Sequence, residues 1–341
     1  MNIGLIGTGA ISHKHGDAYN ELGYKITACS NRSAEKGQEF AQKYGAEFVA
    51  DWRALVGRAD VDYVDVCTFP DSHLEIVREC AAKGKAVLLQ KPMDLTLENC
   101  REMIRLAADA NIRLGVVSQH RFDDSTIFLK KALEAGRLGK LLQADGYVKW
   151  HRPQPYYDRP GKGTWEVEGG GALINQGIHT VDVLMYLAGR VKTVQADWQL
   201  AAAHEMEAED VVNALVRYDN GATGVIQAST AFWPGYTERI ELHGTKGSAT
   251  IVGDKLTNWD VEDDSGDPAP VQSADDDSGA SDPMAIPIEN LKRGFADFAQ
   301  AVEAGKPPLI TGEEGLAALE IVLGVYEAAR EGKRVTLGSS D

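Results

Sequence analysis

Positive charge is the scarcest resource of this 341-residue chain. It carries 35 Lys and Arg against 51 Asp and Glu, a formal net charge of −16. That balance argues against nucleic acid or an anionic membrane surface as a partner, because both demand a positive face. It leaves room for a small phosphorylated ligand held by backbone amides and a few local cations. Cysteine is rare too. Cys29, Cys67, Cys80 and Cys100 all fall in the first hundred residues. They lack metal-site spacing, so the reading is four reduced, mostly buried thiols and no bound metal. No apolar run approaches the length of a transmembrane helix. The first apolar stretch is short and lacks a basic flank, so it reads as a strand and not as a signal peptide. A cytoplasmic location is the expectation. No internal repeat is visible.

What is present is ordinary globular composition, 43% hydrophobic and 25% charged. The length suggests two domains at roughly 100–200 residues each. The chain begins Asn2-Ile-Gly-Leu-Ile6, a short apolar run that suits a strand buried on both faces. Gly7-Thr8-Gly9 then opens a predicted helix from Ala10 to about Leu22. This is the first strand and turn of a dinucleotide-binding unit. Gly7 permits the tight turn, Gly9 lets backbone approach a pyrophosphate, and the free amides of the helix N-terminus, with Thr8, Ala10 and Ile11, supply donors. Ser12 stands where the fingerprint has its third glycine. The bland alternative is a glycine turn without a ligand.

Strand and helix alternate over the first 120 residues. Strands are predicted at 25–30, 47–49, 63–68, 86–90 and 113–118, and helices at 34–44, 71–83 and 97–110. Such alternation implies a parallel sheet with ligands at the C-terminal strand ends. After 120 the pattern changes. A helix over 125–135 and a strand over 141–150 precede strand-like runs at 191–200, 210–218, 222–231, 236–243 and 247–252. Asp219-Asn-Gly221 and His243-Gly-Thr-Lys-Gly247 are turn signals between some of them. The acidic Ser-, Gly- and Pro-containing segment 260–282 reads as a solvated loop. Helices are predicted at 288–304 and 313–331.

Between these halves lies Gly169-Gly-Gly-Ala-Leu-Ile-Asn-Gln-Gly-Ile-His-Thr-Val-Asp182. On a helix over 172–187, Asn175, His179 and Asp182 fall at i, i+4 and i+7 and share a face. A polar stripe on an apolar helix puts a proton-transfer histidine between two groups able to orient it.

Three motifs together resemble the Gfo/Idh/MocA family: the N-terminal G-x-G turn, Lys91-Pro92 after the fifth strand, and the G-G-G-A-x-x-N-x-G-x-H-x-x-D helix. The hairpin at 243–248 and Gly312-Glu-Glu-Gly315 add to it. The resemblance implies NAD(P)-dependent oxidoreductases of sugars, cyclitols and related polyols. It implies an α/β fold: an N-terminal Rossmann domain with a doubly wound parallel sheet over 1–120, then over 121–341 an α/β domain with a large, mainly antiparallel open sheet for substrate binding and oligomerisation. A homodimer or homotetramer through the open sheet face is the expectation. The sequence departs from the family pattern at Gln90, where Glu-Lys-Pro is usual, at Asn175, where an aspartate is frequent, and at Ser12. The first two each remove a negative charge beside a catalytic candidate.

Oxidising a secondary alcohol requires hydride transfer to the nicotinamide and loss of the hydroxyl proton. His179 is the candidate general acid/base, with Asn175 or Asp182 fixing its tautomer, and Lys91 polarises the hydroxyl. The alternatives are a domain-packing histidine, a lysine at a strand end and a structural aspartate. At the end of the second strand stands Cys29-Ser-Asn-Arg-Ser33 with Lys36 one turn on. There is no carboxylate for a ribose 2′-hydroxyl, whereas Asn31, Arg32, Ser33 and Lys36 suit a 2′-phosphate. The cofactor is therefore NADP or NAD, with a lean to NADP. The resemblance places Thr68, Pro70 and His73 near the dinucleotide, joined by Gln90, Lys91 and Gln119. Arg152, Tyr156 and Trp165, with Lys91, Asn175 and His179, are the candidate substrate contacts. Two rivals stand beside a dehydrogenase: a glycoside-cleaving enzyme that oxidises its substrate transiently, and a non-enzymatic dinucleotide sensor.

Overall fold

A computed structural model describes residues 1–338 except 202, 264, 267 and 274–286. Contacts divide the chain into one unit of Met1–Gln119 with Pro287–Leu316, and a second of His120–Ile286 with Ala317–Asp341. No helix among the described residues is long and apolar enough to cross a membrane.

The first unit is built on strands β1 (Asn2–Ile6), β2 (Lys25–Ser30), β3 (Glu47–Phe48), β4 (Tyr63–Val66), β5 (Ala86–Leu89) and β6 (Leu114–Val116). They form one sheet in the order β3-β2-β1-β4-β5-β6, parallel throughout. Helices α1 (Ala10–Glu21), α2 (Ala34–Tyr44), α3 (Trp52–Val56), α4 (His73–Ala82) and α5 (Leu97–Asp109) connect them. Of these, α3 is absent from the sequence reading: five residues are too few for a 3.6-residue period to declare itself. The register carries the chain from strand to strand at the C-terminal edge. Gly7 N donates to Ser30 O at 2.9 Å, Cys67 N to Ile6 O at 2.8 Å, Gln90 N to Val66 O at 3.0 Å and Val117 N to Leu89 O at 2.8 Å. Residues 7, 67, 90 and 117, scattered in sequence, therefore line one edge.

In the second unit α6 (Asp124–Glu134) is followed by β7 (Leu141–His151), the short α7 (Gln154–Tyr157), α8 (Ile178–Ala188) and strands β8 (Val191–Gln199), β9 (Val211–Tyr218), β10 (Thr223–Ser229), β11 (Ala231–Gly244), β12 (Gly247–Val252) and β13 (Lys255–Val261). With β14 (Val335–Thr336) they make an eight-stranded sheet, β13-β12-β11-β7-β10-β9-β8-β14. Only the β7–β10 pairing is parallel. The turn signals at 219–221 and 243–247 join β9 to β10 and β11 to β12. Strands β13 and β14 are additions. The expected loop at 260–282 begins inside β13, and 264, 267 and 274–282 lie outside the described residues.

Helices α9 (Glu289–Ala304) and α10 (Gly312–Glu331) complete the chain. Sequence order puts everything after 120 in the second domain, but residues 287–316 return to the first unit. The cause is apolar packing. Leu291, Phe295 and Phe298 of α9 share a core with Ile3, Leu5, Tyr19, Ile26 and Tyr63.

Candidate active site

The dinucleotide candidates sit at the C-terminal edge of the first sheet. Gly7 has φ +93°, and a Cβ there would lie 2.8 Å from the Cys67 carbonyl, so both conformation and space demand glycine. A Cβ on Gly9 would meet nothing within 4 Å. No side chain caps α1, and its first turn carries no acid. The buried Thr8 hydroxyl has no hydrogen-bond partner. An uncapped helix start, open space above it and an orphaned hydroxyl together fit a pyrophosphate. Ser12 is fully buried, and its hydroxyl donates back to Gly9 O at 2.5 Å. It thus preserves the tight packing expected of the missing third glycine.

At the end of β2, Ser33 caps α2 by accepting from Lys36 N, and Asn31 donates its amide to Ser33 O. Arg32 and Lys36 are exposed. After β4, Pro70 begins a single 3-10 turn, and the Ser72 hydroxyl donates to Thr68 Oγ1 at 2.7 Å. His73 is fully buried. Its Nδ1 lies 3.0 Å from Met93 O and its Nε2 3.3 Å from Thr68 O. Burial lowers its pKa, against the pull of the two carbonyls, and a ring enclosed between them serves the fold and not a ligand.

Gln90 acquires a specific task. His15 Nδ1 is 2.6 Å from Asp65 Oδ2, which also accepts from the Tyr19 hydroxyl at 2.8 Å. With Nδ1 donating, His15 Nε2 is an acceptor and takes the Gln90 amide at 2.6 Å, while Gln90 Oε1 accepts Lys91 N at 3.3 Å. A carboxylate at 90 would give Nε2 no donor. The amide therefore suits a ring whose Nδ1 donates to Asp65, and it helps hold the backbone of Lys91, a half-buried residue joined to Pro92 by a cis peptide. Cys67 closes this group: His15, Asp65 and Cys67 bring ligand-type atoms within 4.8 Å of one another. Burial pushes the Cys67 thiol well up, toward its protonated form. Gln119 is buried at the start of a 3-10 turn over 119–122.

In the second unit the helix expected over 172–187 is present but not uniform. Leu173–Gly177 is a π-turn, and α8 follows without a break. Single π-turns inside helices are frequent at functional sites. From 171 to 185 only Asn175 and His179 are not buried. The expected stripe thus loses its third member. Asp182 is buried, and both its oxygens accept from Arg121: Nε to Oδ2 at 2.8 Å and Nη2 to Oδ1 at 2.6 Å. That bidentate pair makes Asp182 an anchor for α8. Gly146 of β7 lets the helix sit close, since a Cβ there would lie 3.1 Å from Thr180.

His120, directly after Gln119, is a site neighbour that the motifs do not single out. Its ring lies edge-on to His179, centroids 5.7 Å apart. Burial works against a charge on His120, but Asp123, 3.0 Å away, outweighs it and holds the pKa up at about 9. A cation therefore stands beside His179 at neutral pH. The available signal was the run Gln119-His-Arg-Phe122 directly after a parallel strand.

The candidate substrate contacts separate. Arg152 is buried; Nη1 donates to His151 O at 2.8 Å, and its guanidinium stacks on Trp150 at 4.9 Å. Its backbone is pinned by His204, whose Nε2 is 2.7 Å from Arg152 O and whose Nδ1 is 2.8 Å from Asp210. The Tyr156 hydroxyl accepts from Gln176, one residue from Asn175, at 3.1 Å, which links it to the π-turn. Trp165 packs inward, against Trp198 at 5.5 Å, Tyr326 at 5.1 Å and the Arg330 guanidinium at 4.6 Å. Its faces serve the fold.

Two family descriptions match in order: an oxidoreductase family with an NAD-binding Rossmann fold over residues 1–118, and the GFO/IDH/MocA C-terminal domain over 127–250. A myo-inositol 2-dehydrogenase of Thermotoga maritima is 29% identical, over 99% of this chain and 98% of its own. A 1,5-anhydro-D-fructose reductase of Ensifer adhaerens is 28% identical over 97% and 96%. Among solved structures, the WlbA dehydrogenase of Bordetella pertussis in complex with NADH and UDP-GlcNAcA superposes with a TM-score of 0.89, at 28% identity over 100% of this chain and 98% of that one. With the glycine turn, the lysine–proline pair and the histidine helix all in their places, this chain belongs to the Gfo/Idh/MocA oxidoreductase family.

Proposed function

We propose that this protein transfers a hydride between a nicotinamide dinucleotide and a ring hydroxyl of a sugar, sugar derivative or cyclitol. One observation carries the reading: Asn175 and His179 are the partly exposed residues of an otherwise buried stretch from 171 to 185, at a π-turn. The relatives named for inositol, anhydrofructose and a nucleotide-sugar ligand support the substrate class.

When bound, the nicotinamide supplies the hydride acceptor or donor. The amides from Thr8 to Ile11 and the Thr8 hydroxyl hold the pyrophosphate. Lys91 polarises the hydroxyl being oxidised and stabilises the developing alkoxide. His179 takes the hydroxyl proton on a ring nitrogen and returns it in the reverse direction. Asn175 orients the substrate or the imidazole, and Arg152 and Tyr156 are the further substrate contacts of this reading.

NADP is the proposed preference. No carboxylate follows β2 at 31–33, and Arg32 and Lys36 are exposed there to meet a 2′-phosphate. The WlbA structure holds NADH, so assay with both cofactors is the test. A panel of inositols, aldoses and sugar acids should give reduced-nicotinamide absorbance with at least one member. Arg32→Ala with Lys36→Ala should raise KM for NADP and leave that for NAD unchanged. A cofactor and substrate present together at about 100 times Kd should add about 2.7 kcal/mol each of native-state stability. Silence across the panel with both cofactors counts against a dehydrogenase, and product without net cofactor reduction favours the glycoside-cleaving alternative.

A homodimer or homotetramer is part of the proposal. The outward face of the second sheet has Leu215, 60% exposed, at its centre, flanked across the register by Gln195 and Val225. Trp233 and Tyr236 of β11 are also exposed. Sedimentation velocity should return a mass two or four times that of the chain, and Leu215→Arg should shift it toward one. A cytoplasmic location accords with four free thiols, all buried.

A further inference from the structure

Glu209 lies just before β9 and is fully buried, yet none of the roles above uses it. A helix leaves its first four backbone N–H groups without intrahelical acceptors. In the segment that carries Asn175 and His179, these belong to Gly171, Ala172, Leu173 and Ile174. Glu209 and its partner Tyr326 take all four. Gly171 N donates to Glu209 Oε2 at 2.6 Å and Leu173 N to Oε1 at 2.9 Å. Ala172 N donates to the Glu209 carbonyl at 3.0 Å. Ile174 N donates to the Tyr326 hydroxyl at 3.2 Å, and that hydroxyl donates to Oε1 at 2.9 Å. The glycine run exists to allow this approach. A Cβ on Gly171 would lie 1.9 Å from the Glu209 carbonyl oxygen, and one on Gly170 2.4 Å from the Tyr326 hydroxyl.

We infer that Glu209 is a positioning residue for the reaction: its carboxyl group and main-chain carbonyl set the start of the helix, and through it the placement of Asn175 and His179. The inference rests on the role proposed for His179. Residues 170–178 carry no charged side chain that could substitute. Neighbouring charges are engaged elsewhere. Asp210 on the same strand approach accepts from His204 and from Ala201 N, and Glu168 accepts from Lys162 and from Gly163 N. Arg330 of α10 lies over the rings of Trp165 and Tyr326.

Burial pushes the Glu209 carboxyl up to about 7, although the donors on Leu173, Tyr326 and Gly171 pull the other way. A carboxyl raised above its unfolded value stabilises most at low pH and withdraws that stability as pH rises through the folded pKa. The fold thus carries the ionised form at a cost. In return the carboxylate binds two amides as a charge-assisted acceptor. An opened helix start returns the carboxyl to water and to its ordinary range, so ionisation as pH rises through about 7 loosens the helix start, and protonation below it favours the closed form.

The test is hydrogen–deuterium exchange of the amides at 171–174 in the full chain on both sides of neutrality, corrected for intrinsic rates, beside kcat and KM profiles of wild type, Glu209→Gln and His179→Ala. Wild-type protection should fall as pH rises through about 7 and lose that dependence in Glu209→Gln. That variant should lose about 10- to 100-fold in kcat, the scale of a small misplacement. Its KM for the dinucleotide should hold, and its profile should lack the ionisation near neutrality. Wild-type protection that ignores pH overturns the inference, and needs no folded variant. Loss of turnover in His179→Ala with full turnover and protection in Glu209→Gln overturns it as well. If protection follows Glu209 but His179→Ala turns over normally, the His179 role fails while the grip of Glu209 on the helix stands.

Discussion

Replacing His179 with alanine lowers kcat by about 10²–10⁴-fold, the usual worth of positioned acid/base help, and leaves dinucleotide binding intact. The expected size follows from what remains. The imidazole contributes one proton transfer, whereas the glycine turn, Thr8 and Lys91 belong to the first unit and are untouched by the change. The cofactor dissociation constant, read by fluorescence titration, therefore serves as the folding control. Unchanged turnover would sink the assignment. The loss should be steepest in the oxidative direction at low pH, where hydroxide cannot replace the missing base.

Arg121→Ala is the change with the largest expected effect on stability. It leaves the Asp182 carboxylate, 4% exposed, without the guanidinium that pairs with both its oxygens. Breaking a buried pair from one side costs about 3–5 kcal/mol, because the surviving charge stays desolvated. Arg121 also covers the Tyr186 ring at 4.7 Å, so packing is lost with the charge. Denaturant titration should show the lower midpoint. Removing both charges with apolar residues of similar volume should recover most of the loss, since the pair as a whole repays little beyond its own desolvation. An Arg121→Ala protein as stable as wild type would show that Asp182 is satisfied by other partners. Asp182→Asn separates the two readings of that residue. As an anchor it loses stability and keeps the pH profile of turnover. As the orienter of His179 it shifts the profile.

Much of the fold is legible in local pattern. The βα alternation, the glycine turn after an apolar strand and the hairpin signals at 219–221 and 243–247 each reflect forces acting over a few residues. The elements missed are α3, α7, β13 and β14. They are short, or rest on pairing with a distant strand, as β14 does through Val335 opposite Val194. The return of 287–316 to the first unit is likewise a matter of where Phe295 and Phe298 find apolar partners, nearly three hundred residues from Ile3 in sequence. The site shows the same limit. His179 and Lys91 stand out as candidates because motif and chemistry coincide, and Ser12 because its position in the turn explains it. Helical spacing groups Asp182 with Asn175 and His179 but is blind to Arg121. His73 and Trp165 have the right residue types in the right loops, yet backbone carbonyls claim the one and Trp198, Tyr326 and Arg330 the other.

By itself the sequence determined the family and the α/β class, because turn geometry, periodicity and residue type are encoded within a few positions. Only the tertiary structure decided which of the candidate residues are spent on holding the protein together. It pairs Asp182 with Arg121, joins Gln90 to His15, and closes Glu209 and Tyr326 over the glycine run. Each of these is a buried polar group that must find its partner across the fold, and the identity of that partner depends on three-dimensional proximity that no local pattern records.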